Sequence, residues 1–139
     1  MMKIYFAGSI RGGRSDQEQY AQVIGLLRFY GTVLTEHLGR IDLTAVGETR
    51  LDNKAIYKRD VEWLVKSDCV VADVSIPSLG VGYEIAQAES LNKKILCLFR
   101  PSVNRRLSAM IAGNKNLRVE NYQTLEDLKS ILENFFKSK

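Results

Sequence analysis

Apolar runs alternate with amphipathic stretches along this chain, and the alternation predicts a regular order of strands and helices. Lys3–Ser9 is short and mostly apolar and predicts a strand. Ser15-Asp16-Gln17-Glu18 has the form of a capping box. The helix it opens carries Tyr20, Val23, Ile24 and Leu27 on one face, and Gly31 ends it. Thr32–Thr35 predicts a second strand, leading to Glu36-His37. Leu38–Leu51 mixes polarities around Gly39 and Gly47 and predicts a long loop, a length that often marks function. Asp52 or Asn53 can cap a helix running to about Lys66. Asp68–Ser75 is a third strand, Ile76–Gly82 a loop, Tyr83–Asn92 a helix and Lys94–Phe99 a fourth strand. After Pro101, a short helix covers about Arg106–Ala112, and Leu117–Tyr122 is a fifth strand. Thr124 caps a last helix with Leu125, Leu128, Ile131, Leu132 and Phe135 on one face.

That order is βαβαβαβαβα in a single domain, 1–139. Strands that read as near-continuous apolar runs are covered on both faces. The expected fold is therefore α/β: a five-stranded parallel sheet, Rossmann-like or flavodoxin-like and doubly wound, with helices on both faces. Ligands of such sheets bind beyond the carboxyl ends of the strands, near the switch point between strands one and three. The segments to inspect are then Gly8–Arg14, Glu36–Leu51, Ser75–Gly82 and Arg100–Arg106.

Composition narrows the classes of partner. At 45% hydrophobic and 26% charged residues, the chain is an ordinary globular one, not a disordered one. No apolar run reaches the roughly 18 residues of a membrane span. Met-Met-Lys-Ile-Tyr-Phe-Ala-Gly is too short, and too soon broken by Gly8, for a signal peptide. The expected location is the cytoplasm or the nucleus. The net charge of +4 suits a small anionic ligand, but basic residues never run beyond pairs such as Lys93-Lys94, which argues against a nucleic acid polymer. Cys69 and Cys97 sit inside apolar runs and read as buried, inert thiols. With no CxxC and a single His, no structural zinc is expected.

Three features could carry chemistry. Gly8-Ser9-Ile10-Arg11-Gly12-Gly13-Arg14 follows a strand and precedes a helix. Its glycines let backbone N–H groups approach an anion, and its arginines add bidentate donors. It is neither a dinucleotide-binding GxGxxG nor a P-loop, so a mononucleotide or sugar phosphate fits better than NAD or ATP. The second feature is Asp60. Advancing about 100° per residue from Ile56, the residues Trp63, Ile56, Leu64, Tyr57, Val61 and Val65 span an arc of roughly 200°. Lys58, Arg59, Glu62 and Lys66 fall on the solvent side. Asp60 falls at about 40°, inside the apolar arc, where a carboxylate must be paired, hydrogen-bonded or functional. The third is Glu84, expected in the first turn of its helix, where the dipole favours its ionised form. Gly80 and Gly82 would let a ligand approach it. Asp60 and Glu84 flank the third strand, and two carboxylates over a sugar pocket can cleave a glycosidic bond. A structural ion pair for Asp60 and helix-end electrostatics for Glu84 are the plainer readings. His37 reads first as a packing or hydrogen-bonding residue, Tyr5 as core with a hydroxyl needing a partner, and Ser78 and Ser108 as ordinary serines able to donate to phosphate.

Taken together, these residues are recognisable. Tyr5-Phe6-Ala7-Gly8-Ser9-Ile10-Arg11-Gly12-Gly13-Arg14, Thr32-Val33-Leu34-Thr35-Glu36-His37 and Asp60-Val61-Glu62-Trp63-Leu64 resemble the nucleoside 2-deoxyribosyltransferase family, and within it the 2′-deoxynucleoside 5′-phosphate N-hydrolases. So do Pro77-Ser78-Leu79-Gly80-Val81-Gly82-Tyr83-Glu84, Lys94-Ile95-Leu96-Cys97-Leu98-Phe99-Arg100-Pro101 and Leu107-Ser108-Ala109-Met110-Ile111. The likeness runs from Lys3 to about Tyr122. It implies hydrolysis of deoxynucleoside 5′-monophosphates to free base and 2-deoxyribose 5-phosphate, without metal or organic cofactor. It implies Glu84 as a nucleophile forming a glycosyl ester, Asp60 as the proton-transfer group and Tyr5 as the residue orienting the nucleophile. The Gly8–Arg14 loop, Ser78 and Gly80 would hold phosphate and sugar, with His37 near the base. Ser108, with Ala109 and Met110 beside it, would reach the phosphate of a second copy across a homodimer interface. The rival readings are a deoxyribosyltransferase, which passes the sugar to another base, and a catalytically silent nucleotide-binding module. The phosphate loop argues against the first and the placement of Asp60 against the second.

Overall fold

Five apolar segments form the strands of one sheet: β1 (Lys3–Ala7), β2 (Thr32–Val33), β3 (Cys69–Asp73), β4 (Lys94–Phe99) and β5 (Arg118–Asn121). All neighbours are parallel, in the order β2-β1-β3-β4-β5. The helices between them are α1 (Arg14–Leu27), α2 (Asn53–Lys66), α3 (Leu79–Ser90), α4 (Ala109–Ala112) and α5 (Leu125–Lys137). This is the expected doubly wound α/β fold. The structure is a computed structural model that describes residues 1–10, 14–39 and 52–137. Arg11, Gly12, Gly13 and nearly all of the expected Leu38–Leu51 loop lie outside the described residues, as do the side chains of Arg14 and Ser15.

Because side chains alternate along a strand, each strand feeds two cores. Ile4 and Phe6 of β1, Cys69 and Val71 of β3, and Leu96 and Leu98 of β4 meet α1 and α5 on one face. Tyr5 and Ala7, Val70 and Ala72, and Ile95 and Cys97 meet Leu64 of α2 and Val81, Ile85 and Ala88 of α3 on the other. The register, with Tyr5 opposite Val70 and Ala72 opposite Cys97, keeps each set on its own side. This division places Tyr5 on the face covered by α2 and α3, the helices that carry Asp60 and Glu84. Cys69 and Cys97 are buried, free thiols. Burial pushes them up to about 11 and about 12, so both stay protonated, as the inert reading expects.

Three element boundaries that bear on the site differ from the pattern-based expectation. The second strand ends at Val33 because Thr35 turns inward: its Oγ1 accepts from the Phe6 N–H at 2.9 Å and donates to the Phe6 carbonyl at 2.6 Å. His37 accordingly lies in a 3₁₀ turn, Glu36–Gly39, past the strand end. Helix α1 already begins at Arg14, one residue before Ser15; Asp16 of the first turn is buried and paired with Arg105 at 3.4 Å. Helix α3 starts at Leu79, four residues before Tyr83, because the Ser78 hydroxyl caps it by accepting from the Val81 N–H at 3.3 Å. Gly80 and Gly82 are thus helical rather than loop residues. Just past α3, Asn92 adopts φ 59° to turn the chain into β4, a left-handed position that asparagine tolerates.

Candidate active site

Three side chains from three elements converge on the face of the sheet that α2 and α3 cover, over β1 and its neighbour β3, between which the strand order switches. Tyr5, almost fully buried at 1% exposure, donates its hydroxyl hydrogen to Glu84 Oε2. Glu84 stands in the second turn of α3, with residue 83 at its side and the α2 helix opposite. Asp60 of α2 is close enough for its charge to act on both Glu84 and Tyr5.

Burial dominates the electrostatics. It pushes the Glu84 carboxyl up to about 7; the Tyr5 hydrogen bond pulls it down and the Asp60 charge pushes it up. The dipole expectation of an ionised Glu84 is therefore corrected. The residue is one turn further into the helix than the pattern placed it, and desolvation outweighs the dipole, which acts mainly within the first turn. Tyr5 is raised far above the usual phenol range by burial first and by the Glu84 charge second, so it remains a hydrogen-bond donor. Paired titratable groups shifted by burial and by each other are the mark of acid–base or nucleophilic sites.

Asp60 is partly buried, and its carboxylate is paired. Arg59 Nε and a terminal guanidinium nitrogen both lie 3.0 Å from Asp60 Oδ1. The same guanidinium donates to His37 Nε2 at 3.3 Å and lies over the Trp63 ring, 4.9 Å from its centre. A guanidinium only donates, so Nε2 is the acceptor and the imidazole proton sits on Nδ1. His37 also faces Trp63, with ring centroids 5.7 Å apart. His37 is thereby joined to the carboxylate cluster. The expected apolar arc of α2 proves too wide: Leu64 is fully buried, whereas Tyr57 and Val65 are exposed. Arg59, assigned to the solvent side, folds back onto the helix. The spacing of Arg59 and Trp63, four residues apart on one helical face, was the signal available for this.

The other candidate residues fall into two places. Gly8, Ser9 and Ile10 follow β1, where the Ser9 N–H donates to the Tyr20 hydroxyl at 3.1 Å. A Cβ on Gly8 would press the Tyr20 ring at 3.0 Å, so a side chain there would push the ring back by a few tenths of an ångström. Ser78, Ser108 and Met110 line one groove of about 670 Å³ between α3 and the segment 106–117. Ser108 caps α4 by accepting from the Met110 N–H at 3.2 Å, and Ala109 opens that helix. Gly80 is exposed, and a Cβ there would find only the Ser78 hydroxyl, 3.9 Å away. The groove runs along the side of α3 that carries Gly82, Ile85, Ala86 and Glu89, spaced three and four apart. It does not include Glu84, Tyr5 or Asp60, which lie on the α2 side of the helix.

One buried carboxylate escaped the pattern reading. Asp73 closes β3 at 1% exposure, accepting from the Tyr122 hydroxyl at 2.6 Å and from the Ser75 N–H at 3.0 Å. Burial raises it above the usual carboxylate range. Ser75 Oγ in turn accepts from the Arg100 N–H at 2.9 Å, so the network ties the β3–α3 connection to the end of β4. An aspartate closing an otherwise apolar strand was its visible mark.

Comparison with known proteins places these features in a lineage. The family model described as Nucleoside 2-deoxyribosyltransferase matches residues 4–129. A 5-hydroxymethyl-dUMP N-hydrolase of Tetraodon nigroviridis is 50% identical over 99% of this chain and 99% of its own. A 5-hydroxymethyl-dUMP N-hydrolase of Homo sapiens is 46% identical over 97% of this chain and 79% of its own. Among solved structures, a Clostridium botulinum CMP N-glycosidase superposes with a TM-score of 0.64 at 14% identity, covering 95% of this chain and 98% of that one. At that identity the likeness is one of fold.

Proposed function

The chain belongs to the nucleoside 2-deoxyribosyltransferase family, and from that premise we propose that it hydrolyses the N-glycosidic bond of 2′-deoxynucleoside 5′-monophosphates. The products are the free base and 2-deoxyribose 5-phosphate. The observation that carries this reading is the Tyr5–Glu84 hydrogen bond, within reach of the Asp60 charge, at the switch point of the sheet. The names borne by relatives about half identical to this chain support the substrate class.

In the proposed reaction, Glu84 first loses the proton that burial lets it keep, and Asp60 is the neighbouring carboxylate that takes it. The Glu84 carboxylate attacks the anomeric carbon while Tyr5 holds its other oxygen. The C1′–O bond forms, the C1′–N bond breaks, and the departing base takes the proton from Asp60. Water then attacks the glycosyl ester and gives its proton to Asp60, which returns it to Glu84. Every proton is accounted for without a metal or an organic cofactor. The Gly8–Arg14 loop, Ser78 and Gly80 hold the phosphate and sugar, and the first turn of α3 adds the positive end of its dipole. His37 stands beside the base.

The direct test is release of free base from the four deoxynucleoside monophosphates and 5-hydroxymethyl-dUMP, each with and without an acceptor base. Deoxynucleotides are expected to turn over, ribonucleotides and unphosphorylated nucleosides poorly. Equal turnover of ribonucleotides would remove the deoxyribose reading, and transfer to the acceptor without net hydrolysis would make the chain a transferase.

The second part of the reading is a homodimer in which Ser108 serves the partner's phosphate. Exposed Leu79 and Met110 beside the apolar groove support it, as surface that a second copy would cover. Inactive Glu84→Gln and Ser108→Trp chains, mixed and allowed to exchange subunits, should recover roughly a quarter of parental activity, because random pairing makes about half the dimers hybrids with one intact site. No recovery after proven exchange would mean that Ser108 serves its own chain or no site.

A further inference from the structure

We propose that Arg59 is a positioning residue, which fixes the Asp60 carboxylate for proton exchange with Glu84 and couples it to His37. The inference rests on the reading of Asp60 as the proton-transfer group. Neighbouring residues on a helix point about 100° apart and do not ordinarily face each other. Arg59 nevertheless turns back to place Nε and a terminal nitrogen each 3.0 Å from the same oxygen, Oδ1 of Asp60.

Two further contacts show what holds it there. The guanidinium lies over Trp63, one turn along α2, at 4.9 Å from the ring centre. It donates to His37 Nε2 at 3.3 Å. Its side chain is only 23% exposed, so the pair is not a freely solvated surface bridge. Its charge also acts on Tyr5, which already bonds Glu84. One planar group thus touches the carboxylate, the imidazole and the indole and is sensed by the tyrosine. Two donors on one oxygen set the plane of the Asp60 carboxylate, because rotation would break both bonds. Lysine, a point charge without a fork, could supply the charge but not the orientation.

This makes a kinetic pattern the test, measured on base release from a deoxynucleoside monophosphate. Arg59→Ala should lower kcat about ten- to a hundredfold, the worth of one or two charge-assisted hydrogen bonds, with KM nearly unchanged. Arg59→Lys should fall between the two. Guanidinium at sub-denaturing concentration should restore kcat in Arg59→Ala, where it can refill the place over Trp63, and do nothing for the parent or for Asp60→Asn. A merely structural arginine would not be replaced by a soluble ion. A raised KM with unchanged kcat would make Arg59 a substrate contact, and unchanged kinetics would make it a surface ion pair; either overturns the proposal. If Arg59→Ala does not fold, Arg59→Lys carries the test, and parental kcat in that variant overturns it. An inactive parent protein would instead refute the proposed function, leaving the two failures distinct.

Discussion

Glu84→Gln is expected to abolish base release and yet to yield a protein more stable than the parent above neutral pH. Losing the nucleophile removes the covalent path, which should cost several powers of ten in kcat. The stability gain follows from burial, which raises the folded-state pKa of Glu84 to about 7 from its ordinary 4.5. Between those values the folded protein holds a proton that the unfolded chain has released. The contribution of this carboxyl to stability is therefore fully present below about 4.5 and is lost as pH rises toward about 7. At higher pH the fold bears the cost of a buried charge. Glutamine carries no charge, and its carbonyl can still accept from the Tyr5 hydroxyl. The variant should gain on the order of 1–3 kcal/mol at roughly pH 8 and little at roughly pH 4. Urea melts at the two pH values check this, and kcat/KM of the parent should fall on the alkaline side of the same pKa, because the proton that the departing base takes starts on Glu84. Substantial activity in the variant would return Glu84 to a structural role.

Asp60→Asn should be nearly as damaging to the reaction and nearly silent in stability. Removing a group that transfers a proton in the transition state costs about 10²–10⁴ in rate. A carboxylate on an apolar helix face would be expected to stabilise the fold when neutralised. The structure changes that expectation, because Asp60 is paired with Arg59 and both side chains remain partly exposed, at 29% and 23%. Pairs of this kind contribute about 0–1 kcal/mol, and neutralising one member should shift stability by no more than that. A second readout separates the roles. The Asp60 charge raises Glu84, so in the asparagine variant Glu84 should ionise at lower pH, which an NMR titration of its carboxyl carbon would read. A collapse of stability with activity retained in the folded fraction would make Asp60 structural.

Much of this architecture is legible in the chain itself. β3 and β4 are near-continuous apolar runs, because a strand covered on both faces has no solvent side. Their alternation with amphipathic helices leads to a parallel sheet, and such sheets bind ligands at the switch point. Tyr5, Asp60 and Glu84 were nameable from residue type, position and motif. Their partners were not. Helical periodicity gives a residue's angle on its own helix, and it put Arg59 in water; the Trp63 ring and the Asp60 carboxylate draw it back. A glycine-rich segment reads as loop, yet the Ser78 hydroxyl caps it into helix and carries Glu84 a turn deeper. The ionisation of Glu84 depends on how much water reaches it, and that follows from packing against Tyr5 across some eighty residues of chain. Local pattern records which side of each element is apolar. Desolvation, hydrogen bonding and charge coupling arise between elements, so only the folded chain determines which carboxyl keeps its proton.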